Sequence, residues 1–331
     1  MLRVVARAFG PVDRLELCEQ DDRPPARGHV RIATEAMGIS FVDGLLVQGI
    51  YHIKPPLPFI PGGSVSGVIS AVGEGVTGFA VGDRVGAVSD TLGGGWSTQA
   101  EFKVGCVAML PAAIDFALAT GMLESWGTMN FAFTRRVRLA RGDRVLVLGA
   151  GGGIGLAATD LAKSAGATVV AAASSEEKLA AAAAIGADHL VDYSRQDLTH
   201  QVREIWPDGA DYVVDPVGGP QALAAVKLLR DRGSYLVVGF ASGDIPRFGA
   251  NRFLIGNRSA IGIDWGEEIR SGPDGLAGQL AEIFSACAAG RIHPPRPRVF
   301  GLEEVVTALK TVGSRQGSGK AVMVPPARYV S

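Results

Sequence analysis

The run Ala150-Gly151-Gly152-Gly153-Ile154-Gly155 follows an apolar stretch, RVLVLG (144–149), and opens an apolar-periodic stretch, Ile154–Ala165. At a strand-to-helix junction, one small residue allows a tight turn and a second lets the backbone approach a pyrophosphate. A third lets the helix pack on the strand. The helix start then presents free N–H groups and a positive dipole end to phosphates, here from Gly153 and Ile154 onward. The spacing Ala150-x-Gly152-x-x-Gly155 therefore reads as a dinucleotide loop with alanine in the first place. A glycine triplet alone would also suit a plain turn; its place within a repeated strand–helix pattern favours the dinucleotide.

The end of the next strand bears on which dinucleotide. A reader of NAD places an acidic residue about 20 positions past the glycines. This chain has Ala173-Ser174-Ser175 there and no carboxylate on the strand. Ser174 and Ser175 can donate hydrogen bonds to a 2′-phosphate and Lys178 can add charge, which favours NADPH. The competing reading is local: Ser174-x-x-Glu177 also fits a capping box, and a first-turn lysine is usually solvated. Glu176 and Glu177 are compatible with a phosphate if they point outward.

These residues sit in a chain of 331 residues, a length that suggests two domains. Glycine is the compositional outlier, with 45 residues and neither a collagen period nor a Gly/Ser tract. Up to about Asp115 the sequence alternates short strands, such as His29–Thr34, Ser66–Val72 and Arg84–Val88, with Gly- and Pro-rich turns. MLRVV at the start reads as a first strand. From Phe116 to Gly266 apolar strands alternate with helices: 144–149, 167–173, 189–191, 211–215, 235–238 and 260–264. Six such strands predict a doubly wound parallel sheet. Gly166, Gly186, Gly233 and Gly290 each fit the left-handed position that closes a helix. Gly275–Ser331 holds a helix, an irregular HPPRPRVF stretch, another helix and a last strand, expected to rejoin the first domain.

The net charge of −1 and the absence of a basic stripe argue against dedicated nucleic-acid binding. The longest uncharged run, Val145–Ala158, is too short for a membrane span and holds five glycines. The N-terminal stretch has no apolar segment of signal-peptide length. Cys18, Cys106 and Cys287 are scattered and odd in number, which fits free thiols in a reducing compartment and a cytoplasmic protein.

Several stretches match a family in its order: GISFVD (38–43), GIY (49–51), KPPLPFIPG (54–62), GVTGF (75–79) and GDRV (82–85). The match runs on through the glycine loop, SSEEKL (174–179), GADHLVDY (186–193), DPVGG (215–219), GFASG (239–243) and GSGKAVMV (317–324). In these the chain resembles the zeta-crystallin-like quinone oxidoreductases, the zinc-free branch of the medium-chain dehydrogenase/reductase superfamily. The resemblance implies an α/β fold in which a Rossmann domain, residues 119–266, is inserted in a GroES-like, partly barrel-shaped β domain made of residues 1–118 and 267–331. It implies a homodimer through the edge strands near Ser259–Asp264, and hydride transfer from NADPH to a quinone or an activated alkene.

Zinc-dependent relatives carry cysteine where Ser40 stands, a His-Glu pair where Gly63-Ser64 stands, and a four-cysteine lobe that this chain lacks. The five histidines have no Cys or His partner at ligand spacing, so no metal is expected. Family matching places Thr128 and Phe240 near the nicotinamide, and Tyr193 and Arg315 at the adenosine end. It leaves bland readings beside each: a hydroxyl bonded within its own helix for Thr128, a core ring for Phe240, and a packed loop residue for Tyr193. Tyr51 is the candidate for contacting substrate, beside the reading of a half-buried loop tyrosine. Ser40, usually Asn in the family, completes the candidate catalytic set with Tyr51 and Thr128. Ser64 stands where a Glu or similar polar residue is common, and Leu123–Gly127 departs from the family's proline-containing run. No residue is an obvious general acid, which leaves water as the proton source. An enoyl-thioester substrate, or a non-catalytic NADPH-binding role, are the alternatives.

Overall fold

The computed structural model describes residues 1–21, 23–272, 275–314 and 317–329. β1 (Leu2–Val5) and β2 (Glu16–Glu19) form a small antiparallel pair. β3 (His29–Ile39) is followed by α1 (Phe41–Gln48), then β4 (Ser64–Val72), β5 (Arg84–Val88), β6 (Gln99–Lys103) and β7 (Val107–Met109). α2 (Phe116–Phe131) leads into a run of alternating elements: β8 (Arg144–Leu148), α3 (Gly153–Ser164), β9 (Thr168–Ala173), α4 (Glu176–Ala184) and β10 (His189–Asp192). It continues with α5 (Leu198–Ile205), β11 (Ala210–Asp215), α6 (Gly219–Ala225), β12 (Leu229–Val237), α7 (Asn251–Leu254) and β13 (Ser259–Gly262). α8 (Trp265–Ser271), α9 (Leu276–Ala288), β14 (Arg298–Gly301), α10 (Val305–Ser314) and β15 (Ala321–Val324) complete the order.

β8 to β13 make a wholly parallel sheet in the order β10-β9-β8-β11-β12-β13. This is the doubly wound order, with its switch point between β8 and β11. Val145 to Leu148 are fully buried, as expected of a central strand covered by helices on both faces. The other strands form a mixed sheet, β14-β15-β3-β4-β5-β7, with β6 also paired to β3. β3 is longer than its alternation suggested, because two partners share one of its edges. β6 takes residues 29–33 and β15 takes residues 37–39. β15 thus returns the end of the chain to the sheet built by its beginning.

α2 joins the two sheets: Met122, Leu123, Trp126 and Met129 are buried in one core with Val88 and Ala108 on one side and Val145 and Leu156 on the other. Asp160 of α3 tightens the join. It accepts a hydrogen bond from Trp126 Nε1 at 2.8 Å, and its two oxygens share the His293 N–H at 2.9 Å each.

Three local expectations change. Gly233 closes no helix: it lies within β12, and Arg232 takes the left-handed conformation, with φ +63°. A Cβ on Gly233 would meet Ala210 O at 3.0 Å, so the glycine serves close strand packing beside the register shift of β11. The Ser174 capping box does not form, because the N-cap of α4 is Ser175, one residue later, and it makes no side-chain cap. The HPPRPRVF stretch contains a strand, β14, which pairs in parallel with β15. Gly166, Gly186 and Gly290 have positive φ after α3, α4 and α9, as the helix ends require.

Candidate active site

The glycine loop is held so tightly that side chains are excluded from it. A Cβ on Gly155 would lie 2.4 Å from Gly149 O and 2.5 Å from Ala150 Cα. One on Gly151 would lie 2.4 Å from Lys178 Cβ, and one on Gly153 would meet Lys320 Cδ at 2.6 Å and Ser125 Oγ at 2.7 Å. Gly152 is the N-cap of α3 and offers no side-chain cap, so the first N–H groups of the helix are unpaired by any capping hydroxyl or carboxylate. Ala150 is buried beneath the loop, Gly152 is exposed and Ile154 half-buried. The arrangement fits an anionic dinucleotide: a backbone cradle that a Cβ would fill, aimed by a helix N-terminus.

Beside the cradle, Lys178 Nζ donates to Ser174 Oγ at 3.4 Å. The half-buried Tyr193 hydroxyl is held above its ordinary pKa by burial, and a hydrogen bond with Ser174 opposes that shift. Ser174, Lys178 and Tyr193 therefore come together at the ends of β9 and β10, with half-buried Ser175 at the start of α4. Glu177 turns away from this group toward the Ser318 hydroxyl at 3.3 Å and Arg298 at 3.8 Å.

Across the switch point, Asp215 fixes the next loop. One carboxylate oxygen accepts the N–H groups of Val217 (2.7 Å) and Gly218 (2.9 Å), while the other accepts the Tyr235 hydroxyl. Burial, then Asp215, pushes the Tyr235 phenol far up, so it stays a donor. Ala241 and Ser242 bond back onto Pro216 and Val217, which carries Phe240 to the edge that holds the glycine loop. Phe240 is 39 % exposed, so it is not a core ring.

The mixed sheet contributes the opposite wall. Ser40 caps α1: its Oγ accepts from the Asp43 N–H at 3.3 Å, and its N–H and hydroxyl both donate to Asp43 Oδ2 at 2.7 Å. Gly38 beside it leaves room for the Ser64 hydroxyl, since a Cβ there would fall 2.1 Å from Ser64 Oγ. Ser64 donates to Glu124 Oε1 at 3.1 Å, and Lys320 Nζ reaches Glu124 Oε2 at 3.3 Å. Thr128, one turn along α2, donates its hydroxyl to Glu124 O at 2.7 Å and keeps its lone pairs. Tyr51 is apart from this group. Its ring lies tilted at 47° against His52, with centroids 4.3 Å apart, and its phenol is raised by burial, then by Asp264, with Arg270 opposing. Arg315 lies outside the described residues.

Sequence reasoning missed Asp43, Glu124, Ser125 and Lys320. Asp43 had a local signal in the Ser40-x-x-Asp43 cap, whereas Glu124 and Lys320 meet only through the tertiary fold. Gly319 N–H bonds to Gly151 O at 2.9 Å, and this contact sets Lys320 over the cradle. Among the described residues, no group of three His, Cys, Asp or Glu side chains is placed to hold a metal.

A doubly wound sheet with a dinucleotide cradle, joined by one helix to a mixed sheet that walls the same cleft, defines a two-domain dinucleotide-dependent oxidoreductase. The comparisons agree. Residues 26–129 match the alcohol dehydrogenase GroES-like domain, and residues 153–279 match the zinc-binding dehydrogenase model. The quinone oxidoreductase-like protein 2 homolog of Nematostella vectensis is 34% identical over 296 residues, covering 89% of this chain and 81% of its own. The Escherichia coli quinone oxidoreductase complexed with NADPH superposes with a TM-score of 0.90 at 25% identity, covering 98% of this chain and all of its own. The CurK enoyl reductase superposes with a TM-score of 0.85 at 25% identity, covering 98% and 99%. The chain belongs to the quinone oxidoreductase-like proteins of the medium-chain dehydrogenase/reductase family.

Proposed function

We propose that this protein is an NADPH-dependent reductase that adds hydride to a quinone or an α,β-unsaturated carbonyl without a bound metal. The observation that carries the reading is the convergence of the glycine cradle, the Ser174–Lys178–Tyr193 group and the Phe240 loop along one sheet edge. When bound, NADPH supplies the hydride. Gly152 to Gly155 and the α3 N-terminus hold its pyrophosphate, and Lys320 adds positive charge above the same loop. Ser174, Ser175, Lys178 and Tyr193, with Arg315, hold the phosphorylated ribose. Phe240 and Thr128 border the nicotinamide, and the two walls keep water from the reacting carbon. Ser40, Gly63 and Ser64, standing where zinc-dependent relatives carry ligands, support metal-free chemistry.

Domain limits of 1–118 with 267–331, and 119–266, go with this reading, as does a cytoplasmic setting in which the three free cysteines stay reduced. No helix among the described residues is long and apolar enough to cross a membrane. β13 is an edge strand, and nearby Leu254 and Ile255 are 79% and 66% exposed. Pairing of β13 with its copy would cover that edge. Sedimentation at the mass of two chains is the expected result; a single-chain mass at micromolar concentration would refute the pairing.

NADPH oxidation against quinones, enones, alkenals and enoyl thioesters tests the reading. Turnover with the first two classes is expected, with metal content below one per chain in the same preparation. Similarity to an enoyl reductase favours the thioesters as the second reading. Tyr51→Phe is expected to change turnover with quinones several-fold, through loss of a hydroxyl contact worth about 1 kcal/mol; an unchanged profile removes Tyr51 from the site.

A further inference from the structure

Asp43 is a carboxylic acid in the first turn of α1, 3% exposed. From it, two hydrogen bonds lead to half-buried Ser40, at the start of α1. Helix capping alone does not account for it, because an amide would accept the Ser40 N–H equally well without burying a charge. We propose that Asp43 is the proton source of the reduction, working through the Ser40 hydroxyl, with Glu124 and Lys320 setting its charge. The proposal rests on the reductase reading.

The groups around Asp43 bear on both protonation states. Glu124 faces it from α2 and Lys320 from the segment before β15. Asp13 and Lys310, on the outer side of α1, are paired to each other at 2.5 Å. Burial first, then Glu124, holds the Asp43 carboxyl up at about 7, against the Ser40 hydrogen bonds and Lys320. The acid therefore keeps its proton to higher pH than an exposed carboxyl does, the condition for donating it to a substrate.

Hydride from the cofactor adds to one substrate carbon, and the electron pair of the broken π bond moves to the carbonyl oxygen. That oxygen takes the Ser40 hydroxyl proton as Ser40 takes the proton of Asp43. Asp43 is left as a carboxylate, solvent returns its proton, and the cofactor leaves oxidised. Ser40 touches the substrate; Asp43 acts through it. Phosphates brought beside Lys320 draw its positive charge from the carboxylates, so cofactor binding itself raises Asp43 and takes up a proton.

Calorimetry of NADPH binding at pH 7.5, in two buffers of different ionisation enthalpy, reads that uptake without any substrate. Net uptake by the wild-type protein and none by Asp43→Asn is expected; equal uptake in both, or none in either, overturns the proposal. With a substrate, wild-type kcat is expected to fall as pH rises above 7. Asp43→Asn is expected to lose about tenfold at pH 7 and to have a flat profile, with KM for NADPH unchanged. An unchanged profile in Asp43→Asn overturns the proposal. Should that variant not fold, Glu124→Gln carries the test: it removes a charge that raises Asp43, so the falling limb moves to lower pH, and a limb that stays put counts against the assignment. Proton uptake by a wild-type protein that reduces nothing in the panel would defeat the reductase reading and leave Asp43 only its titration.

Discussion

Gly155→Val is expected to cripple dinucleotide binding and to lower stability by about 4 kcal/mol, at the severe end for single substitutions. The reason is geometric. The new Cβ would approach Gly149 O at 2.4 Å and Ala150 Cα at 2.5 Å, and both are backbone atoms that no rotamer change can move. α3 has to lift away from β8, and its unpaired N–H groups leave the positions that face the cleft. Any fraction that folds is expected to bind NADPH at least about 100-fold more weakly, an affinity loss near 2.7 kcal/mol. Fluorescence titration with NADPH and a thermal melt check the two effects separately. Near-wild-type affinity would show that the loop does not cradle a pyrophosphate.

Lys178→Ala is expected to raise KM for NADPH by about 10- to 100-fold while changing KM for NADH little. A charge-assisted hydrogen bond to a phosphate is worth about 1.5–3 kcal/mol, and only NADPH carries the 2′-phosphate. Lys178 reaches Ser174 at 3.4 Å, and Ser174 bonds Tyr193, so the lysine is held where that phosphate would complete the group. Its backbone also packs on Gly151, but alanine keeps the Cβ that makes this contact. Steady-state KM values for both cofactors give the comparison; equal changes would end the 2′-phosphate assignment.

The cofactor side was legible because its signals are local. RVLVLG, the glycines and the following helix lie within one strand–turn–helix unit, and the missing acid after β9 is read at a single position. Gly233 misled because a glycine after an apolar run looks alike at a helix end and at a tight strand crossing; only the approach of Ala210 O separates the two. The proton side was not legible for a different reason. Asp43, Glu124 and Lys320 are spread over nearly 280 positions and acquire their character from one another and from burial. Carboxylates in α1 and α2 have no reason to be read together until β3, β4 and β15 place them on one wall.

The bond from Gly319 to Gly151, with β15 closing on β3, also orders events in time. A ribosome releases residues 144–262, enough for the whole parallel sheet, before it makes residues 319–324. Domains fold broadly as they emerge, so the nucleotide sheet can form while the mixed sheet around it still lacks β15. The cradle gains its lysine, and the substrate wall its closing strand, in one late step, so a nascent or C-terminally shortened chain would hold a folded nucleotide sheet without a finished cleft.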